Sequence, residues 1–458
     1  MATNISYKPT EGLSYDPGEE KYWDAGALKG EINRVFEVCH GCRMCFKYCD
    51  SFPSLFDFID NRHDGHVEKL NDAEIKSVMQ QCFQCKLCEV QCPYTPRDGH
   101  EFQLDFPKLV HRYNAIEAKK NGLSTRDRVL GDPDKAGIAA RASFGMANKM
   151  NRVGAHRWFM EKTLGIHRDK LLPDFADDTF ENWAAGRGLI TDEPGGEVVL
   201  FQTCYVQNNE PQIGQDTVEV FKKNQVDIRC EKGLQCCGMP AWESGDLETL
   251  QKRAKANLDR LMPFVDAGAK VVAINPTCSM MMRREYPELV AKEERERAEK
   301  LAKAVQDPGE YLWSLRQEPR FNTQFKSHPE QVAYHAPCHL RAQAVGFRSR
   351  DLIRKSGVSE IGNVMECCGH DGTYAMKTEF FEASARIGKK AFEGMQRVGA
   401  EDESGEPIPS NATWVTDCPL AAIQFEQHAG QKPLHPMSLL ARSYRGDAFP
   451  SKNKPEKE

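Results

Sequence analysis

The sequence predicts a multidomain protein of mixed α+β and α/β class. A helical N-terminal domain leads through a helical connector into two pseudo-repeated α/β modules. Three observations carry this. Two cysteine runs of identical spacing stand close together near the N-terminus. After Pro194-Gly195-Gly196 the hydrophobic pattern changes from helical to an alternation of short apolar strands and helices. The unit that then begins, a strand followed by a cysteine and a helix, occurs twice.

The first run is Cys39, Cys42, Cys45 and Cys49, and the second is Cys82, Cys85, Cys88 and Cys92, both spaced C-x2-C-x2-C-x3-C. Three thiolates two residues apart can wrap one cubic iron–sulfur cluster, because the turns between them aim successive sulfurs at neighbouring irons. The fourth sulfur points away and reaches the other cluster. The expectation is a helical ferredoxin-like domain over residues 1–100 with two [4Fe–4S] clusters and crossed ligation. Cys39, Cys42 and Cys45 would share a cluster with Cys92; Cys82, Cys85 and Cys88 would share one with Cys49. Disulfides suit a short secreted chain with paired cysteines, whereas this chain has 458 residues and 17 cysteines. Structural zinc takes two separated C-x2-C pairs rather than a run of four. Pro93 follows the second run, but Asp50 follows the first, the nearest proline being Pro53. Proline there shapes the exit turn and ligates nothing.

Composition bounds the rest. Apolar residues make up 40% of the chain, enough for real cores, and so many cysteines fit metal centres in a reducing compartment. The net charge of −6 argues against nucleic-acid binding. The N-terminus has no apolar signal core, and no run approaches the ~20 apolar residues of a membrane span. The expected location is the cytoplasm, with any membrane contact peripheral, at the inner face and through partners.

In chain order, residues 1 to about 25 read as an extended arm. A helix over Ala27–Val38 leads into the first run. Phe52, Leu55, Phe56, Phe58 and Ile59 stand between the runs, where they can keep water off the clusters; His63 and His66 read as surface residues. The connector, 101–195, is helical and locally basic through Arg141, Lys149, Arg152, Arg157, Lys162, Arg168 and Lys170. Such a face is either solvated or a dock for an acidic partner or membrane surface.

In the first module, 196–310, strands are expected at Val198–Phe201, Val226–Cys230 and Val271–Ile274, with helices at Pro211–Lys223 and around Leu247–Leu261. Lys292–Lys303 reads as an exposed helix with i,i+4 pairs Glu293–Arg297, Glu296–Lys300 and Glu299–Lys303. In the second module, 311–445, strands are expected at Val332–His335, just before Cys367, and at Thr413–Thr416, with a helix at Glu379–Arg397. The acidic insert 400–411 reads as a loop and 446–458 as a disordered tail.

The modules have matching cysteine inventories. The first offers Cys204, the pair Cys236-Cys237, and Cys278; the second offers Cys338, the pair Cys367-Cys368, and Cys418. They fall just past strand ends, where open α/β sheets place ligands. Adjacent cysteines diverge, which suits a cluster better than one tetrahedral ion, although zinc competes. Gly238 and Gly369 let the backbone approach closely. Cys230 fits neither set and reads as a buried strand residue. His335, His339 and His370 flank the second site as proton-relay groups, spare ligands or plain core histidines. Cys237 and Cys368, with His335 and His339, are the candidate catalytic residues.

Over its whole length the chain resembles the family of the C subunit of anaerobic glycerol-3-phosphate dehydrogenase. That family is related to the iron–sulfur subunit of glycolate oxidase and to the B subunit of heterodisulfide reductase. The resemblance lies in the two runs, in Phe201-x-x-Cys204, Cys236-Cys237-Gly238, Pro276-Thr277-Cys278 and Tyr334-His335-x-Pro337-Cys338-His339, in Cys367-Cys368-Gly369-x-x-Gly372-Thr373-Tyr374, and in Thr416-Asp417-Cys418. It implies that the paired-cysteine units are CCG modules holding an additional iron–sulfur cluster or zinc, and that electrons pass between a flavoprotein and a quinone or thiol acceptor. The fullest CCG pattern ends in C-x2-C. Here Asn275 replaces the first of those cysteines in one half, and Ala421 stands where the last would be in the other. Each half therefore supplies four thiolates of five. The leading functional expectation is an iron–sulfur electron-transfer subunit working with a flavoprotein dehydrogenase or other redox protein. The alternative is a heterodisulfide-reductase-like enzyme reducing a disulfide or small substrate at the CCG site; the third reading is an iron–sulfur sensor or scaffold. No G-x-G-x-x-G follows a strand, so hydride chemistry would need a partner.

Overall fold

The computed structural model describes residues 7–191, 193–400 and 410–450. Two small parallel sheets form its α/β part. One has strand order β2-β1-β3-β4, from β1 (Val198–Phe201), β2 (Ile228–Cys230), β3 (Lys270–Ala273) and β4 (Val305–Gln306). The other has order β6-β5-β7, from β5 (Gln331–His335), β6 (Glu360–Val364) and β7 (Thr413–Thr416). In register, Leu200 of β1 stands beside Cys230 and Val272, and Tyr334 of β5 beside Asn363 and Val415. The central strands read as unbroken apolar runs because helices cover both faces, and β1 is buried at all four residues. The three-strand orders β2-β1-β3 and β6-β5-β7 correspond, so Cys204, Cys278, Cys338 and Cys418 all follow the carboxyl ends of strands.

Ahead of the sheets the chain is helical. The helix Ala25–Cys42 is longer than expected and carries the first two cysteines of the first run; Arg43, at φ 56°, ends it in the left-handed region. Ser51–Arg62 is a helix, with Phe52, Leu55, Phe56 and Ile59 on its buried side. The connector comprises six helices between Phe106 and Ala185. Among the described residues, no helix is long and apolar enough to cross a membrane.

The N-terminal arm, read as extended, is strapped to the body from Tyr7 onward. Two buried arginines hold it through backbone carbonyls: Arg34 donates to Tyr7 at 2.8 Å, and Arg112 donates to Gly12 and Tyr22 at 2.8 Å. Such cations can stay buried because their donors meet carbonyls and, for Arg34, the carboxylate of Glu31 at 2.7 Å. The helical pairs expected within 292–303 are not the ones formed. Arg297 reaches Asp259 and Lys300 reaches Asp266, both on the neighbouring helix Leu247–Asp266, because the apolar face at Ala298 and Leu301 lays this helix against that one. Two members of the basic stretch face inward: Arg157 donates to the carbonyls of Arg168, His167 and Lys170, and Lys170 is itself buried. Up to Pro450 the C-terminal segment is packed, with Phe449 against the core. Most of the insert (401–409) and the tail from 451 lie outside the described residues.

Candidate metal centres

The two N-terminal runs interleave. An apolar pocket is walled by Cys39, Cys42, Cys45 and Cys92, with Cys88, Phe52, Phe56, Leu104 and Phe106 also lining it. Cys39 is thus grouped with Cys92, the last member of the other run. Its thiol is pushed well up by burial and then by Cys45, Cys92 and Cys42. The converse holds for the second run. The Cys88 thiol is raised by burial first and then by Cys85, Cys82, Cys45 and Cys49. Four desolvated thiolates in one place repel each other strongly, so each group suits a cationic iron–sulfur core, which removes the repulsion and needs no solvent. Donor set, shape and apolar wall all fit such a cluster.

The backbone around the second run is held in an unusual form. Gln84 at φ 60° and Lys86 at φ 58° are left-handed although neither is glycine. Tertiary contacts sustain this: Gln84 donates through Nε2 to the Pro107 carbonyl at 3.1 Å, and the buried Lys86 ammonium meets Glu285 at 2.5 Å.

In the first CCG segment the sulfurs form a continuous chain. Cys204, Cys236, Cys237 and Cys278 are mutual electrostatic neighbours, so they cannot all ionise together in this buried place without a cation. The connector supplies a carboxylate that the sequence did not reveal: Asp134 accepts the Cys236 N–H at 2.8 Å. Burial, and then Cys236, raises that carboxyl to about 6. Gly238 stands at φ 89°, a backbone form that side chains with a Cβ rarely adopt.

The second CCG segment splits its pair. Cys338, Cys368 and Cys418 line one small pocket together with His339, His370, Asp371 and Thr277. Cys367 lies behind that wall; its sulfur accepts the Gly369 N–H at 3.3 Å and neighbours Cys49 and Cys85 of the N-terminal domain. Adjacent side chains diverge here as expected, one toward each metal region. The turn is fixed by a buried relay in which Lys170 donates to Gln424 at 2.5 Å, Gln424 to Ser384 at 2.9 Å, and Ser384 to the Gly369 carbonyl at 2.7 Å. Burial lowers the Lys170 ammonium to about 8.

The three histidines have different roles. His335 lies behind the site, with Nδ1 3.0 Å from the Thr416 hydroxyl and Nε2 3.1 Å from the Glu366 carbonyl. His339 lines the cavity, with Nδ1 2.9 Å from Thr277 and Nε2 3.0 Å from the Gln84 carbonyl. Burial lowers both rings to about 4. His370 also lines the cavity, and neither of its nitrogens has a partner. His63 and His66 pair with Glu74 and Glu68, away from the cysteines. Cys230 is a buried member of β2.

Comparison with known proteins agrees with this layout. Residues 38–95 match the 4Fe-4S dicluster domain family, and residues 198–283 and 332–402 match the cysteine-rich CCG domain. The chain is 26% identical over 322 residues to the C subunit of anaerobic glycerol-3-phosphate dehydrogenase from Escherichia coli (strain K12), covering 70% of this chain and 77% of that one. It is 29% identical over 186 residues to lactate utilization protein A of Shouchella clausii (strain KSM-K16), covering 39% of this chain and 74% of that one. The chain is similar to both over these spans.

Proposed function

We propose that this protein is the iron–sulfur electron-transfer subunit of an oxidoreductase, relaying electrons between a flavoprotein dehydrogenase partner and a quinone or a thiol/disulfide acceptor. In this reading residues 1–100 hold two [4Fe–4S] clusters with the crossed ligand sets, 101–195 connect, and 196–310 and 311–445 are pseudo-repeated CCG modules, each with its own metal. Bound iron–sulfur clusters supply one-electron transfer. The protein's own residues hold the thiolates, exclude water through Phe52, Phe56 and Phe106, and set the spacing between sites. The protein works in the cytoplasm and meets the membrane only through partners.

One observation carries the relay reading. Cys367 stands between Cys49 and Cys85 on one side and Cys338 and Cys368 on the other. The second ligand group of the N-terminal domain is thus a neighbour of the second CCG site, and Cys85, Cys88, Cys367 and Tyr374 share one apolar core there. Such a junction gives electrons a short path between the N-terminal clusters and the second CCG site.

The test uses anaerobically purified protein and its flavoprotein partner. In Cys368→Ser and Cys237→Ser, dithionite should still reduce the N-terminal clusters while transfer to the acceptor is lost, and the double variant should lose little more than either single one. Full partner-linked transfer in the double variant overturns the relay reading. Turnover of a small disulfide by the isolated protein with reduced viologen would instead favour the enzyme reading.

A further inference from the structure

A surface pocket opens at the junction between the N-terminal domain and the second CCG segment. Cys49 and Cys367 both line it, although they are only 8% and 7% exposed. Two large apolar side chains from separate parts of the chain stand at the same pocket and stay in solvent. Phe46 is 62% exposed and Met365 is 45% exposed.

The charge around them is one-sided. Four cations line the pocket, Lys47, Arg341, Arg386 and Lys390, against two carboxylates, Asp50 and Glu366. Asp50 is taken by Arg386. Arg341 donates to the Met365 carbonyl, a neutral partner that leaves its charge in place. Among the described residues, Lys47 and Lys390 meet no carboxylate; Lys47 lies over the Tyr48 ring at 5.4 Å. Arg386 and Lys390 stand four residues apart on the helix Phe381–Arg397, where like charges repel. The pocket is therefore positive on a chain whose net charge is −6. Cations around exposed apolar groups fit a partner of opposite charge, and redox encounters use small interfaces steered in this way.

Two other surfaces lack part of this combination. The pocket over the first ligand group has one charged residue, Glu89, and Arg284 pairs with it at 2.5 Å. The connector exposes Phe144, Trp158 and Phe159 among basic residues, but no cysteine lies between Cys92 and Cys204.

We propose that the face around Cys49 and Cys367 receives the flavoprotein partner, which meets it with carboxylates around an apolar centre. Phe46 and Met365 supply the apolar contact. Lys47, Arg341 and Lys390 orient the partner's carboxylates, and electrons cross beside Cys49 and Cys367. Two one-electron transfers oxidise the partner's reduced flavin, release its proton to solvent and reduce two clusters by one electron each. The inference rests on the relay reading and adds where the partner binds and what charge it carries there.

The experiment uses the full-length holoprotein, purified anaerobically, with fully reduced flavodoxin, a small acidic flavoprotein, as the probe. Stopped-flow absorbance follows reduction of the N-terminal clusters. In the parent the second-order rate should fall as salt rises. Lys47→Glu with Lys390→Glu should slow it about tenfold or more at low salt and flatten the salt dependence. Phe46→Ser should slow it at every salt concentration. Lys149→Glu with Lys162→Glu, on the connector, should keep the parent rate. All variants should keep the EPR signals of the clusters, which report an intact fold. A Lys47/Lys390 variant or Phe46→Ser as fast as the parent, or a connector variant as slow as the Lys47/Lys390 one, overturns the proposal and leaves the relay standing. So does failure of flavodoxin to reduce clusters that dithionite reduces. Salt-sensitive self-association that the Lys47/Lys390 variant abolishes would make the occupant a second copy of this chain and overturns it too. Absence of any dithionite-reducible N-terminal cluster overturns both readings.

Discussion

The imidazole of His339 donates through Nε2 to the backbone carbonyl of Gln84 at 3.0 Å, joining the second CCG segment to the loop between Cys82 and Cys85. Its other nitrogen accepts from Thr277, next to Cys278. One neutral ring therefore touches the backbone or side-chain neighbours of three cysteine groups. His339→Leu should strand the Gln84 carbonyl and the Thr277 hydroxyl, at a cost of about 1–3 kcal/mol for each buried group. His339→Gln should recover part of that. Because the lost bond lies on the Cys82–Cys85 loop, the midpoint potential of the cluster held there should move and that of the Cys39 cluster should not. Thermal melts and EPR-monitored redox titration read both effects; equal shifts in the two clusters would contradict this assignment.

Crossed ligation makes a grouping prediction. Cys49→Ser should alter the same EPR signal as Cys85→Ser, and Cys92→Ser the same signal as Cys42→Ser. The cavity wall that joins Cys92 to Cys39, Cys42 and Cys45 motivates it. If Cys49→Ser grouped with Cys42→Ser, each run would hold its own cluster.

The ion pair of Lys86 with Glu285 is buried on both sides at 2.5 Å. Burial alone would raise the Glu285 carboxyl; Lys86, aided by Arg284, holds it below its ordinary value. A π-helical turn at Met281–Glu285, just after the helix that bears Cys278, is what aims this carboxylate at the N-terminal domain. Lys86→Met should destabilise by about 3–5 kcal/mol, since it leaves a buried charge unpaired. Lys86→Met with Glu285→Leu should recover most of that loss, because neither charge then remains. Denaturant unfolding of the two single variants and the double closes the cycle, and a double variant no more stable than Lys86→Met would show that the pair is not the source of the cost.

Much of this was legible in the sequence. Buried parallel strands are short continuous apolar runs, so Thr413–Thr416 emerges with its bounds, and Pro211 marks the first turn of Pro211–Lys223 with equal clarity. The cysteine spacing marked the residues that the structure gathers around one pocket, Cys92 with Cys39, Cys42 and Cys45. What escaped is long-range. Nothing local to Asp134 or Lys170 says that the connector would bring one to Cys236 and the other toward Cys368. Nor does the Cys367-Cys368 pair announce which sulfur faces which site; the turn there is held by Ser384 and Gln424, from distant parts of the chain. The charge pairs expected within 292–303 failed for the same reason, since a packed neighbouring helix outcompetes a helix's own side chains. Asp371 was the exception that sequence could have offered, two residues beyond Gly369 in a loop already marked as a ligand site.

Buried neutral histidine should also make the protein acid-sensitive in a defined window. His435 accepts the Met437 N–H through Nδ1 at 3.2 Å and donates through Nε2 to the Ile274 carbonyl at 3.2 Å, well apart in sequence from the cysteines. Burial lowers its ring from the ordinary 6.5 to about 4. Between those values the unfolded chain binds a proton that the folded chain does not, so stability falls as pH drops from 6.5 toward 4 and is insensitive to this group above 6.5. The slope from one such ring is at most about 1.4 kcal/mol per pH unit. His111, His335 and His339 are lowered in the same direction, so the parent should lose stability more steeply than one ring allows. His435→Asn keeps a short acceptor for Met437 and removes the titrating ring. Its melting temperature should start lower at pH 7.5 and decline less steeply between pH 6.5 and 4 than the parent's. Acid loss of the clusters is common to both proteins, so the difference in slope isolates His435; parallel curves would mean that its ring does not titrate on unfolding.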